Sequence, residues 1–152
     1  MKLTQLSSKA AYLVLAAALT GCAGMGGSGS VPVRMTGAEE VPPVATSASG
    51  TGQVTVSEDR SVSGSFKTQG GTFAAAHIHD GAAGQNGPVI IPLAKAGDEW
   101  IVPAGAKLTE AQYTSYKAGR LYVNFHSAQH KGGEIRAQIR PSGGSSGGSS
   151  SY

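Results

Sequence analysis

Four histidines carry most of the chemical potential of this chain. His77 and His79 are separated only by Ile78, and His126 and His130 form a second local cluster further along. Imidazole is the commonest side-chain metal ligand and binds through a neutral ring nitrogen. The only cysteine is Cys22, near the N-terminus. With no thiolate to join it, an all-imidazole set favours Cu(II) or Zn(II) over magnesium, calcium or iron–sulfur chemistry. The candidate ligands of one copper or zinc site are His77, His79 and His126, with His130 as an optional fourth. Against this stands a plainer reading, in which the histidines bond to loops or face water.

The elements that must position these residues are strands. Val54 and Val56 alternate with Gln53 and Thr55, while Val62, Gly64 and Phe66 alternate with serines. That period of two marks strands with one buried face. Ser57-Glu58-Asp59-Arg60 between the two runs reads as a hairpin connection. Leu121, Val123 and Phe125 alternate with Tyr122, Asn124 and His126, and after Lys131-Gly132-Gly133 the residues Ile135, Ala137 and Ile139 alternate again. Pro88 to Leu93 and Trp100 to Val102 add short apolar segments. One helix is predicted near 109–118, because Thr109 and Gln112 fit a capping box and Gly119 suits a left-handed C-terminal cap. Seven or so short strands predict an all-β antiparallel sandwich or small Greek-key barrel with one short helix.

On a strand, residues i and i+2 share a face, so His77 and His79 project together about 7 Å apart, away from the apolar Ile78. His126 shares its face with Tyr122 and Asn124. Both strand-borne clusters therefore fall on polar faces, which are expected to project outward. Nothing else has a catalytic signature. Ser127 and His126 are strand neighbours on opposite faces, so no Ser–His couple follows. The glycines of Gly81 to Gly87 lack a dinucleotide-binding context and shape a loop. Asp80 either orients an imidazole or is an ordinary turn aspartate. Glu134 and Arg136 read as an exposed structural pair, and Trp100 as core or a lid on the sheet.

The ends of the chain carry location signals. Lys2 and Lys9 with the apolar run Ala10 to Leu19 make residues 1–21 a signal peptide, too short to span a bilayer alone. It ends in Leu19-Thr20-Gly21-Cys22, which resembles the bacterial lipobox whose cysteine is lipidated. The membrane would then be a partner through the lipid anchor on Cys22, and Ala23 fits sorting to an outer membrane, facing the periplasm or the cell surface. Residues 22–30 read as a Gly/Ser tether, 31–140 as the β domain, and 141–152 as a disordered Gly/Ser tail. Loss of the signal lowers the formal charge from +3 to +1, ten basic against nine acidic residues. No basic cluster remains to bind nucleic acid, which is excluded as a partner.

Five motifs in order carry a family resemblance: Glu40-Val41-Pro42-Pro43, His77-Ile78-His79, Gly87-Pro88, Val123-Asn124-Phe125-His126 and Gly132-Gly133-Glu134-Ile135-Arg136. Over residues 31–140 the chain resembles the CHRD (chordin-type) domain, which implies an immunoglobulin-like β-barrel and leaves the activity open. A weaker resemblance is to copper–zinc superoxide dismutase. It implies that His77, His79 and His126 could take the roles of copper ligands on a Greek-key barrel. The chain departs from that pattern, with no bridging histidine, no zinc-site aspartate in context and no cysteine pair. Three functions follow in order: an extracytoplasmic copper- or zinc-binding module, a protein-interaction or adhesion module with an unidentified protein partner, and a dismutase-like redox enzyme.

Overall fold

The computed structural model describes residues 29–141. The segment read as a signal peptide, Cys22, most of the segment read as a tether and the tail beyond Pro141 lie outside them. Nine strands and one helix follow in order: β1 Ser30–Thr36, β2 Ser49–Val56, β3 Val62–Gln69, β4 Phe73–Asp80, β5 Val89–Pro92, β6 Ala94–Ala96, β7 Glu99–Ile101, α1 Glu110–Lys117, β8 Leu121–Ser127 and β9 Ile135–Ile139. The two strands beyond the expected seven are β1, at the start of the domain, and β6, which pairs with β7 as a small hairpin.

All pairings are antiparallel, in the order β5-β4-β8-β9-β1-β2-β3-β7-β6. The two outermost strands, β5 and β6, are consecutive in the chain and separated only by Leu93. One continuous sheet therefore curls until its edges meet, giving a nearly closed barrel. Closure leaves little edge for pairing with another chain.

The alternation read from the sequence sets the interior. Val31, Val33, Met35, Val54, Phe66, Ile78, Leu121, Val123, Phe125, Ile135 and Ile139 are all buried in one core. Phe125 sits at its centre, with Phe66, Phe73 and Trp100 edge-on to its ring at centroid distances of 6.0, 5.5 and 5.8 Å. Trp100 is thus core. Such edge-to-face contacts add to the area that the rings bury.

Helix α1 forms for the local reasons anticipated. The Thr109 hydroxyl accepts from the Gln112 N–H, and the Gln112 side chain accepts from the Thr109 N–H. At the other end Gly119 adopts φ +67°. The N–H groups of Gly119 and Arg120 return to the carbonyls of Tyr116 and Ser115 at 2.8 and 2.9 Å, satisfying carbonyls the helix leaves free. The chain then enters β8 directly.

The second face of β8 and β9 departs from expectation. Tyr122 and Asn124 on β8 and Arg136 on β9 alternate with the core residues, yet they are buried as deeply as the core. The segment Gly81 to Pro88 folds across them, and Glu40 reaches over from the other side. A polar layer is thus enclosed outside the barrel wall. Glu134 and Arg136 are not an exposed pair: both are buried, and Glu134 accepts instead from the Thr46 hydroxyl at 2.7 Å.

Candidate metal centre

Strand register builds the site. On paired β4 and β8, His77 lies opposite Asn124, His79 opposite Tyr122, and Ala75 opposite His126. His126 is therefore diagonal to His77 on the same face, within reach of a long side chain. His77 Nδ1 and His126 Nε2 come to 3.0 Å. One nitrogen from each of His77, His79 and His126 lies within 4.8 Å of the others, the only such cluster of potential ligands among the described residues. The ring centroids are 5.6 Å apart for His77–His79, 4.8 Å for His77–His126 and 6.2 Å for His79–His126.

Backbone carbonyls hold the rings in ligand-ready tautomers. His79 Nδ1 is 2.9 Å from the Gly87 carbonyl, and His126 Nδ1 is 2.9 Å from the Lys131 carbonyl. A carbonyl can only accept, so in each neutral ring Nδ1 carries the proton and Nε2 keeps its lone pair. This is the outer arrangement that orients metal-binding histidines. His77 differs. Its Nδ1 faces the bare Nε2 of His126, and a proton joins the two nitrogens where an ion could otherwise sit.

The three donors fit an ion of the copper or zinc type. Metal–nitrogen bonds of about 2.0–2.1 Å place ligand nitrogens roughly 3–4 Å apart. The 3.0 Å pair already meets that span, and the widest separation, 4.8 Å, needs one ring to close inward by less than about 1 Å. His79 is 7% exposed, whereas His77 and His126 are half-buried. The cluster thus has a closed side under the 81–88 segment and an open side toward solvent. Burial, with the charges of His126 and His79 behind it, lowers the pKa of His77 below 6.5. Burial also lowers that of His79, against the opposing Gly87 hydrogen bond. Both shifts favour the neutral, ligating form.

The outward projection expected for His79 is corrected by the loop. Gly87 can approach because it has no side chain: a Cβ there would lie 1.7 Å from the Asp80 carbonyl oxygen. The loop is locked down by Gly87 N–H donating to Tyr122 Oη at 3.1 Å and Asn86 Nδ2 donating to the Val41 carbonyl at 2.8 Å. Arg136, 1% exposed, donates through Nη2 to the carbonyls of Ala82 and Gln85 at 3.2 and 3.0 Å. Its guanidinium carbon lies 3.4 Å from the Tyr122 ring centroid. The opposite face of Tyr122 is free to stack on His79, whose ring lies 4.7 Å away and 8° from parallel. Asp80 ends strand β4 and is neither a turn residue nor the group that orients an imidazole. Gly87 takes that role.

His130 is not brought into the cluster. Its backbone N–H donates to Ser127 Oγ and its carbonyl accepts from Gly133, which makes it a residue of the β8–β9 turn. Reading the sequence also passed over Glu40, Tyr122 and Asn124 as parts of this layer. The signal was present in part, since Tyr122 and Asn124 alternate with His126 on one strand. Glu40 lies far off in the chain, and only the fold brings it over. It is 4% exposed, and its pKa is raised from 4.5 to about 7 by burial, with the Arg136 charge acting in the other direction.

No curated protein and no solved structure matches the chain. The family model of the CHRD domain matches residues 31–139. That span takes in nearly all the described residues and every residue of the histidine cluster. The chain belongs to the CHRD domain family.

Proposed function

We propose that this CHRD domain binds a single copper or zinc ion through His77, His79 and His126, at the cell envelope, where a lipid on Cys22 tethers it. The observation that carries the reading is the convergence of three ring nitrogens within 4.8 Å. Two of those rings are turned by carbonyls so that a lone pair faces inward. Neutral imidazole donors suit Cu(II) and Zn(II). The tether reading rests on the lipobox-like Leu19-Thr20-Gly21-Cys22.

Two measurements test it. Competition with a chelator of known affinity should give one Zn(II) or Cu(II) per chain, with H77A, H79A and H126A each weakening it far more than H130A. Equal losses in all four variants, or no uptake by the wild type, would leave the domain as an interaction module. Separately, C22A should move the protein out of the membrane fraction, and unchanged partitioning would refute the lipid anchor.

A further inference from the structure

Beside the three imidazoles lies a buried polar group whose oxygen the fold leaves without a partner. Asn124 is 2% exposed and shares the polar face of β8 with His126. Register sets it directly opposite His77. One hydrogen bond orients its amide. Nδ2 donates to the Gly132 carbonyl at 3.4 Å. With Nδ2 bonded to that carbonyl, Oδ1 is turned the other way, toward β4 and the histidines.

On that side Oδ1 finds no donor. Asn124 Oδ1 and His79 Nε2 are both buried, and neither has a hydrogen-bond partner. His79 lies diagonal to Asn124 on the same face of the paired strands, yet no hydrogen bond joins them. His79 cannot supply the missing proton, because its neutral ring has already committed Nδ1–H to Gly87. Two buried lone pairs therefore stand on one face of the paired strands with no donor. A buried oxygen and a buried nitrogen without donors are costly to leave so. A cation between them would satisfy both.

We propose that Asn124 Oδ1 is the fourth ligand of the ion, completing an N3O set with His77, His79 and His126. This rests on the three-histidine reading above and deepens it by fixing the class of ion. A hard amide oxygen among imidazoles suits a divalent Zn(II) or Cu(II) and gives nothing to the softer Cu(I), which prefers sulfur. The domain would then hold a divalent ion in preference to Cu(I).

The test uses the full chain, loaded with Zn(II) or Cu(II), in the wild type, N124L, N124D and H77A, with melting curves confirming that each folds. N124L removes the oxygen at similar size and should weaken Zn(II) binding by about 10- to 100-fold. N124D restores an oxygen donor and should bind at least as tightly as the wild type. N124L should also shift the Cu(II) electron paramagnetic resonance parameters while three nitrogen couplings persist. Wild-type affinity and spectrum in N124L would mean that water takes the fourth position, overturning the role of Asn124 but not the histidine site. Weakening in N124D equal to that in N124L would overturn it too, since the amide would then act through packing. Absence of Zn(II) binding in the wild type, or its persistence in H77A, would overturn the site itself.

Discussion

Replacing Gly87 by alanine probes how the loop governs the histidines. The added Cβ would lie 1.7 Å from the Asp80 carbonyl oxygen and 2.7 Å from its carbon. Both are backbone atoms, so no rotamer change relieves the clash. The segment must retreat by about 1.5–2 Å to restore van der Waals separation. Three hydrogen bonds span that gap: His79 Nδ1 to the Gly87 carbonyl at 2.9 Å, Gly87 N–H to Tyr122 Oη at 3.1 Å, and Asp80 N–H to the Pro88 carbonyl at 3.1 Å. At about 1 kcal/mol each, their loss costs roughly 3 kcal/mol. For a domain of this size that lowers the melting temperature by roughly 10–15 °C. His79 loses its orienting carbonyl as well, which should weaken metal binding by about 10- to 100-fold. The assay is thermal unfolding of G87A with and without Zn(II), paired with chelator competition. G132A is the control, because a Cβ there meets nothing within 4 Å. A G87A protein that melts within about 2 °C of the wild type and keeps its affinity would refute the claim that this loop sets His79.

Further outcomes concern pH and Arg136. His77 and His79 have pKa values lowered below 6.5, so the unfolded chain takes up their protons first. Stability of the metal-free domain is therefore lost as pH falls from about 6.5 through the lowered folded values, and bound metal is lost in the same direction. Metal binding that holds unchanged to pH 4 would contradict a histidine site. Glu40 acts in the opposite sense: the unfolded carboxyl ionises near 4.5 while the folded one resists to about 7, so stability falls as pH rises across that interval. In E40Q, urea midpoints should lose this component, and an unaltered slope would exclude Glu40 as its source. R136K keeps the charge but cannot reach the Ala82 and Gln85 carbonyls together while stacking on Tyr122. It should cost about 2–3 kcal/mol by denaturant unfolding, and a loss below about 0.5 kcal/mol would show that the guanidinium does not hold the loop.

Much of the barrel was legible one residue at a time. Val54 and Val56, Leu121 to Phe125, and Ile135 to Ile139 alternate with period two, and each run became a strand with its apolar side inward. Thr109, Gln112 and Gly119 bounded the helix as their capping chemistry requires. The same alternation placed His77 with His79 and His126 with Tyr122 and Asn124. These features are local: a backbone hydrogen bond or a side-chain direction depends on residues within a few positions, so the order of residue types carries them.

The site itself needed contacts between distant parts of the chain. That β4 pairs with β8, and in the register setting His126 diagonal to His77, depends on how the whole sheet curls and closes at Leu93. The same holds for the burial of the polar face. Period two distinguishes one face from the other, but it does not say what covers the second face. Here the cover is Gly81 to Pro88 and Glu40, fixed by Arg136 and Asn86. Sequence alone therefore determined which residues could be ligands and which faces they share. Tertiary structure decided that three histidines meet, that His130 does not join them, and that Asn124 lies buried beside them, because those outcomes turn on strand register and loop packing between residues far apart in the chain.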